Sequence, residues 1–381
     1  MTLIKYTNKN ISKQIFGYTV GLAMSFLFST TAFSSELNII SSGYTDKGGE
    51  GIYKLTFDPA TNKFGSTNLL TQNNNPSFGL QNNNLWYFVD ESDNGQLLTY
   101  NKNEKGEFNL LQKNSVSGKS PCHISKRDDG KYITVSNYHS GNIAVFELDS
   151  KGLPQGKPQL KQHKGIGLNT NRQEAAHAHW AGWAQLPNNE KTEGIYVVDL
   201  GVDKIFWYPQ NSKGVLEDGQ VVYNATPGDG PRHMAFHPQK SWVYVLNELS
   251  NTLSFTQQDA KGGLTEIQKI STLPADFQGK NIAAHIVISH DGKHIYTSNR
   301  GDLSSISVFN IADDGKIKLA QNISSQGKGP RFFLLLEDAK KMLVANQDSD
   351  NLVAMNILPD GKLEYSGVQT NVPRPTFLAI E

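Results

Sequence analysis

Residues 243–248 read VYVLNE, a short apolar run that ends in polar residues, and variants of this phrase recur along the chain. The other copies are NIISSGY (38–44), which is degenerate, WYFVDE (86–91), YITVSNY (132–138), IYVVDL (195–200), IYTSNR (295–300) and MLVANQ (342–347). The equivalent positions Gly43, Asp90, Asn137, Asp199, Asn247, Asn299 and Asn346 are spaced by 47, 47, 62, 48, 52 and 47 residues. Seven repeats of this length predict an all-β fold, a seven-bladed β-propeller of four-stranded antiparallel blades.

A second phrase, a turn followed by a polar or cationic residue, precedes most copies of the first. Its instances include Pro76-Ser77, Pro121-Cys122-His123, His177-Ala178-His179, Pro231-Arg232-His233, Ala284-His285 and Pro330-Arg331-Phe332. A polar turn such as residues 290–292 (HDG) separates the two phrases, which is typical of a β-hairpin. If the first strand of each unit is innermost, all seven hairpin ends converge on one mouth of the central channel. Antiparallel pairing then places Glu248 beside Arg232.

The chain ends also carry part of the repeat. Residues 375–380 (PTFLAI) begin another unit and then stop, whereas residues 37–40 (LNII) lack a partner of their own. We therefore predict that the C-terminal strand becomes the innermost strand of the blade that the N-terminal strands complete. Residues 35–381 would form a single closed domain.

The N-terminus has the pattern of an export signal. Lys5, Lys9 and Lys13 precede an apolar segment over residues 15–33, and Ala32-Phe33-Ser34 fits the small-x-small cleavage rule. We interpret residues 1–34 as a signal peptide and predict a periplasmic or secreted protein; an uncleaved membrane anchor is the alternative. The chain has one cysteine, Cys122, so no intramolecular disulfide is expected.

Charge and composition narrow the class of partner. The 36 basic and 36 acidic residues give a formal net charge of zero, which favours neither nucleic acid nor an anionic membrane. No phosphate-loop, dinucleotide or serine-elbow motif is present, so no cofactor is predicted. After cleavage of the signal we expect a monomer that does not bind a membrane.

Longer stretches of the sequence carry a family resemblance. They are GKSPCHISKRDDGKYITVSNYHSGNIAVF (118–146), RQEAAHAHWAGWAQLPNNEKTEGIYVVDLGVD (172–203), GPRHMAFHPQKSWVYVLNEL (230–249), AHIVISHDGKHIYTSNRG (284–301) and GPRFFLLLEDAKKMLVANQDSDN (329–351). From about residue 43 to its end the chain resembles the seven-bladed propeller lactonases similar to bacterial 6-phosphogluconolactonase. The resemblance implies a hydrolase that opens a small-molecule lactone.

The resemblance also implies a site made of a histidine, two arginines and a glutamate. Carried over by motif, these are Arg232 of GPRH, Glu248 of NEL, Arg300 of SNRG, and either His177 or His179. Opening a lactone needs an activated water, a base, and donors aimed at the oxyanion. A histidine or Glu248 could act as the base. We favour a histidine, because an arginine partner would lower the pKa of Glu248.

Each candidate also has a purely structural interpretation. Arg232 and Glu248 could be an ion pair that joins two strands, and Arg300 could simply line the channel. His177 and His179, two residues apart, would point to one strand face like a metal pair, but no third ligand has a sequence signal and no metal is predicted.

Four further residues are substrate-binding candidates, His123, His233, His285 and Arg331. The three histidines occupy equivalent positions and could equally be structural at the start of the inner strand. His285 stands where the family is expected to carry an acidic or apolar residue. Arg331 repeats the position of Arg232, so it could bind an anion or be a plain rim charge.

Three classes of function therefore remain at this stage. The first is a lactone hydrolase, whose substrate could be an unphosphorylated sugar lactone, because export would separate the protein from cytoplasmic phosphorylated metabolites. The second is a propeller that binds a ligand or partner without turnover. The third is a ring-forming enzyme similar to fungal muconate cyclase.

Overall fold

A computed structural model describes residues 36–187 and 189–381, so the predicted signal peptide lies outside the described residues. The described chain consists of β-strands and one short 3₁₀ helix, Glu337–Ala339. The strands are β1 (Leu37–Gly43), β2 (Gly51–Asp58), β3 (Lys63–Phe64), β4 (Asn68–Gln72), β5 (Gly79–Asn82), β6 (Leu85–Asp90), β7 (Gln96–Lys102), β8 (Phe108–Ser115), β9 (Pro121–Lys126), β10 (Tyr132–Asn137), β11 (Asn142–Glu147), β12 (Gln159–Gln162), β13 (Ala178–Leu186), β14 (Asn189–Asp199), β15 (Lys204–Pro209), β16 (Gln220–Asn224), β17 (Pro231–Phe236), β18 (Trp242–Asn247), β19 (Thr252–Gln258), β20 (Leu264–Ser271), β21 (Asn281–Ile288), β22 (His294–Gly301), β23 (Ser305–Ile311), β24 (Ile317–Ser324), β25 (Pro330–Leu336), β26 (Lys341–Asn346), β27 (Asn351–Ile357), β28 (Leu363–Asn371) and β29 (Pro375–Ile380).

These strands form seven antiparallel sheets, which confirms the predicted propeller. Blade 1 contains β29, β1, β2 and the short strands β3 and β4; blades 2 to 7 take the following strands four at a time, from β5–β8 to β25–β28. The first strand of each unit contacts the first strand of the next, as β9 does with β13 and β21 with β25. The first strands are therefore innermost and line the channel, as the sequence predicted.

The two chain ends close the ring within blade 1. Strand β1 pairs antiparallel with β29 on one side and with β2 on the other. The backbone N–H of Glu381 donates to the carbonyl of Asn38 at 2.9 Å. The predicted closure by the N- and C-terminal strands is confirmed.

Blade 1 differs from the expected four strands at its outer edge. Strands β3 and β4 pair with opposite ends of β2 and are separated by residues 65–67. A Cβ on Gly65 would lie 2.2 Å from Oγ1 of Thr56, so the chain passes β2 too closely for a side chain at this point. The outer strand is consequently split into two.

Tyrosines of the repeated phrase link one blade to the next. The second residue of four copies is a fully buried tyrosine that donates its hydroxyl to a glycine carbonyl in the outer turn of the following blade. The pairs are Tyr87 to Gly152 at 2.6 Å, and Tyr196 to Gly262, Tyr244 to Gly315 and Tyr296 to Gly361 at 2.8 Å each. These bonds satisfy the buried hydroxyls and fix neighbouring blades to each other.

Among residues 36–187 and 189–381 no helix has the length and apolar character needed to cross a membrane. Apolar side chains pack mainly between adjacent blades, for example Tyr87, Val89, Ile133 and Val135 of blades 2 and 3. The polar ends of the inner hairpins lie outside this packing and line the mouth of the channel.

Candidate active site

One repeat position supplies much of the channel mouth. In each blade, the residue that directly follows the Asn/Asp position lies at the mouth end of the second strand. These residues are Tyr44, Glu91, Tyr138, Leu200, Glu248, Arg300 and Gln347. Hydrogen bonds and ion pairs join several of them, directly or through one arginine, so this set forms a ring, which we call the mouth ring.

A second set of side chains comes from bulges at the start of the inner strands. Register shifts beside Cys122, His179, Arg232, Arg331 and Thr376 leave each of these residues as the extra residue opposite the paired strand. A bulge turns a side chain away from the normal alternation of a strand. Arg232 and Arg331 use this local geometry, and Arg232 reaches a carboxylate of the mouth ring.

Glu248 is the centre of the main charge cluster. Its Oε2 lies 2.7 Å from Nε of Arg232 and 3.2 Å from Nη2 of Arg300, and its Oε1 accepts from Nη2 of Arg172 at 2.6 Å. Glu248 is 2% exposed and Arg232 is 3% exposed. Burial alone would raise the pKa of Glu248, but Arg300, Arg232 and Arg172 outweigh it and hold this pKa at about 2.

The two predicted arginines keep donors for other partners. Arg232 also donates through Nη1 to the carbonyl of Ala284, and Arg300 donates through Nη2 to the carbonyl of Ala283 at 3.2 Å. Burial lowers the pKa of Arg232 to about 10 and that of Arg300 to about 9. Both guanidinium groups therefore remain cationic at neutral pH.

The second carboxylate of the mouth ring has a different environment. Tyr44 donates its hydroxyl to both carboxylate oxygens of Glu91 at 3.0 Å, and Ser77 donates its hydroxyl to Oε2. Nη2 of Arg331 donates to the Tyr44 hydroxyl at 2.9 Å. Arg331 is thus linked to Glu91 through a phenol, and a cavity beside Arg331, Arg232 and Ser77 has about the size of one water molecule.

The two candidate base histidines have separate surroundings. His177 precedes β13, and the bulge at His179 breaks the strand alternation that would have placed both side chains on one face. Nδ1 of His177 lies 2.9 Å from the carbonyl oxygen of Tyr138, Nε2 lies 3.1 Å from Oε1 of Glu174, and the ring stacks on Tyr138 with centroids 4.4 Å apart. Because a carbonyl can only accept, Nδ1 donates to Tyr138, and Nε2 is the ring nitrogen that faces the Glu174 carboxylate.

His179 is buried nearer the arginines. Its ring lies against His233, with centroids 5.3 Å apart, and its Nδ1 has no hydrogen-bond partner among the described residues. Burial, followed by the charges of Arg232 and Arg331, holds its pKa well below the ordinary value of 6.5. An added proton on His179 is therefore strongly opposed.

The other predicted histidines close the channel beneath the arginines. The rings of His123 and His285 each lie 5.6 Å from that of His233, and His285 stacks on Phe332 with centroids 4.2 Å apart. Burial, followed by the charge of Arg232, lowers the pKa of His123 and of His285 to about 3, so these rings are neutral. The three histidines lie on the inner strands β9, β17 and β21.

A larger groove, of about 810 Å³, lies at the opposite end of the channel, beside His285, Phe332, Leu37 and Ile380. Its apolar lining has none of the arginines or glutamates described above. Within residues 36–187 and 189–381 no group of three or more His, Cys, Asp or Glu side chains could hold a metal ion. The candidate site is therefore the charged mouth.

Sequence reasoning missed four residues of this site, Arg172, Tyr138, Tyr44 and Glu91. The last three directly follow the repeat positions, as Glu248 does, and comparison of that position in all copies would have found them. Arg172 lies in the unusually long interval of 62 residues between Asn137 and Asp199, where an extended loop precedes β13. No motif marked it in advance.

The whole repeated region matches one family model, described as lactonase, 7-bladed beta-propeller, over residues 38–380. The chain belongs to this family. A curated relative is the 6-phosphogluconolactonase of Bacillus subtilis strain 168, which is 32% identical over 340 residues covering 87% of this chain and 95% of the relative.

Two solved structures are similar to this chain over most of its length. A protein from Lactobacillus plantarum superposes with a TM-score of 0.83 at 29% identity and covers 91% of this chain and 99% of its own. A periplasmic gluconolactonase from Pseudomonas aeruginosa superposes with a TM-score of 0.82 at 25% identity, with the same coverage of 91% and 99%.

Proposed function

We propose that this protein hydrolyses a sugar lactone at the channel mouth by attack of a water molecule on the ring carbonyl. The observation that carries the proposal is the buried Glu248, held by Arg172, Arg232 and Arg300 at the mouth of a lactonase-family propeller. When Arg331 and Glu91 are added to this cluster, it contains four arginines and two glutamates. Such a site suits the oxyanion that forms during attack and the carboxylate product.

The arginines stabilise the negative charge of the intermediate. Glu248 occupies one side of three guanidinium groups and so fixes their orientation before substrate arrives. Preorganised donors in a partly buried site stabilise developing charge without reorganising during the reaction. With a pKa of about 2, Glu248 is a poor proton acceptor, so it acts in positioning Arg232 and Arg300.

His177 is the base in this proposal. The carbonyl of Tyr138 fixes its tautomer, which leaves Nε2 to take a proton from water, and Glu174 stabilises the imidazolium that results. The carboxylate of Glu174 is 56% exposed, so it can move aside for the water and return. His179 lacks such a stabilising partner and lies among cations.

We further propose an unphosphorylated sugar lactone as substrate and a periplasmic or secreted location. The support is the leader-like sequence of residues 1–34 and the similarity to the periplasmic gluconolactonase of Pseudomonas aeruginosa. Export separates an enzyme from the phosphorylated sugars of the cytoplasm. An uncharged lactone such as δ-gluconolactone is accordingly the first substrate to test.

The test measures proton release from δ-gluconolactone and its 6-phosphate, after subtraction of spontaneous hydrolysis, with protein expressed from the full chain. Arg232→Lys keeps the charge but loses the guanidinium fork, and we expect kcat/KM to fall about 10²-fold. Arg127→Lys is the matched control, since Arg127 pairs with Asp129 in the turn between β9 and β10, at the end of that hairpin opposite the mouth. His177→Gln and His179→Gln identify the base by which of them loses turnover.

Wild-type hydrolysis that Arg232→Lys lowers about 10²-fold and Arg127→Lys retains would support the proposal. The ratio of rates on the two lactones decides whether phosphate is preferred. If wild type shows no rate above background on either compound or on a broader set of lactones, the proposed hydrolase is wrong, and a ligand-binding propeller becomes the better interpretation.

A further inference from the structure

Glu91 is the internal counterpart of Glu248. Both directly follow the Asn/Asp position of the repeat, Glu91 in blade 2 and Glu248 in blade 5. Three blades separate them in one direction and four in the other, so they stand on nearly opposite sides of the mouth. A small substrate in the mouth would therefore have one carboxyl group on each side.

The two carboxyl groups have opposite kinds of partner. Glu248 contacts three guanidinium groups, whereas the partners of Glu91 are the hydroxyls of Tyr44 and Ser77. No arginine or lysine nitrogen lies within 4.0 Å of Glu91 among the described residues. Arg331 reaches it only through the Tyr44 hydroxyl.

This environment raises the pKa of the Glu91 carboxyl group. Burial raises the pKa of Glu91 above its ordinary value of 4.5, although Arg331, the hydroxyls of Ser77 and Tyr44, and Arg232 act in the opposite direction. The pKa of Glu248 is moved to about 2. Two carboxyl groups in one site whose pKa values are pushed apart are the usual arrangement for dividing acid from charge-stabilising roles.

Ring opening needs an acid that the mechanism above does not yet contain. Collapse of the tetrahedral intermediate breaks the bond between the carbonyl carbon and the ring oxygen. The ring oxygen would leave as an alkoxide, which is a poor leaving group unless it is protonated as the bond breaks. The arginines bind the oxyanion and His177 takes the proton of water, so these roles leave the ring oxygen without an assigned proton donor.

We propose that Glu91 is the general acid that protonates the departing ring oxygen; this inference rests on the proposed lactone hydrolysis. The water oxygen bonds to the carbonyl carbon and His177 takes one of its protons. The carbon to ring-oxygen bond then breaks, and the carboxyl proton of Glu91 passes to the ring oxygen, which becomes the product hydroxyl. His177 releases its proton to solvent and Glu91 regains one from solvent before the next turnover.

Two lactones with different leaving groups test this role. δ-Gluconolactone releases an alkoxide, whereas dihydrocoumarin releases a phenoxide, which needs much less help from an acid. We expect Glu91→Gln to lower kcat about 10²-fold or more on δ-gluconolactone and only a few fold on dihydrocoumarin. The matched control Glu104→Gln changes an exposed glutamate of the same blade and should leave both rates unchanged.

The pH profile gives a second readout. If Glu91 must be protonated, kcat/KM falls as pH rises through its pKa, and this alkaline limb disappears in Glu91→Gln. Tyr44→Phe removes a hydrogen bond that favours the ionised form, so the limb should move to higher pH. Difference infrared spectra of wild type minus Glu91→Gln should show a protonated carboxyl group at a pH where an ordinary glutamate is ionised.

The outcomes separate the two proposals. Absence of wild-type turnover on both lactones would overturn the hydrolase and, with it, a catalytic role for Glu91. Wild-type turnover with equal loss on both lactones in Glu91→Gln, or an unchanged alkaline limb, would overturn only the assignment of Glu91 as acid.

Discussion

At the scale of single residues, neighbours decide what a repeated side chain does. Glu91 and Glu248 have the same repeat position, each directly after the last residue of the second strand of its blade. Glu248 receives Arg232 from its own blade, Arg300 from the next blade, and Arg172 from an extended loop. Glu91 receives hydroxyl groups instead. The repeat sets the positions of the two carboxyl groups, and side chains from other segments set the direction in which each pKa is shifted.

Glu248→Gln tests the charge cluster through stability. Removal of the carboxylate leaves three guanidinium groups without their shared counter-charge, so we expect the free energy of unfolding to fall by about 3 kcal/mol at neutral pH. The folded pKa of about 2 lies below the ordinary 4.5, so this contribution is complete above pH 4.5 and is lost as pH falls towards about 2. Urea unfolding of both proteins across this pH range measures the difference.

Glu104→Gln serves as the control for that measurement, because Glu104 is exposed in the turn between β7 and β8. Its unfolding free energy should follow that of wild type at every pH. A constant gap between wild type and Glu248→Gln from neutral to acid pH would contradict the depressed pKa.

The sequence predicted the part of the site that depends on register. Arg232 and Glu248 meet because the hairpin between them has its turn near the midpoint, and Arg300 joins them because the next blade repeats that geometry. The behaviour of His177 and His179 could not be predicted, since a bulge changes the side-chain direction without altering the spacing. Arg172 was missed because its position depends on the path of an irregular loop.

At the scale of elements, β29 stabilises the ring through contacts with three blades. Its Phe377 and Leu378 are buried, and Phe377 packs against Phe78, Phe88 and Phe332 of blades 2 and 7. The terminal side chain of Glu381 also accepts from Nζ of Lys54 at 3.0 Å. The last strand therefore joins blade 1 to both of its neighbours.

Deletion of residues 373–381 should accordingly unfold the protein rather than trim it. The deletion removes the inner strand of blade 1 and exposes the edge of β1 together with its core side chains. We expect loss of the cooperative thermal transition, followed by circular dichroism. A truncated protein with the wild-type melting temperature would contradict the closure as a source of stability.

Point substitutions within β29 measure how much individual side chains of this strand contribute to stability. Phe377→Ala should lower the unfolding free energy by about 3 to 5 kcal/mol, since it removes a buried aromatic ring. Ile380→Ala on the same strand changes a side chain that is 42% exposed and should cost much less. The repeat predicted this closure, but it did not predict the split of the outer strand at Gly65, where the chain runs close to the Thr56 side chain.

At the scale of the whole molecule, the N-terminal sequence bears on the compartment in which the protein would act. We predict that residues 1–34 direct export and are removed after Ser34. Cell fractionation with intact-mass measurement should find a periplasmic or secreted protein that begins at Ser35. Ala32→Arg places a large charged residue where signal peptidase requires a small one, and should leave the leader attached.

A cytoplasmic protein that retains the leader would contradict this prediction. The case for an unphosphorylated substrate would then fall, and the phosphorylated lactone would become the better candidate. Size-exclusion chromatography with light scattering tests the accompanying expectation of a monomer.

The pairing of β29 with β1 also sets the order in which the molecule can be assembled during biosynthesis. The inner strand of blade 1 is made after every other strand of the propeller, and its Thr376 donates to the carbonyls of Ser77 and Ser42 beside Glu91 and Tyr44. The ring therefore stays open until residues 375–380 have been made, even where the earlier blades have already paired their strands. A nascent chain that lacks these residues has an unfinished Glu91 side of the mouth, which is completed when β29 pairs with β1.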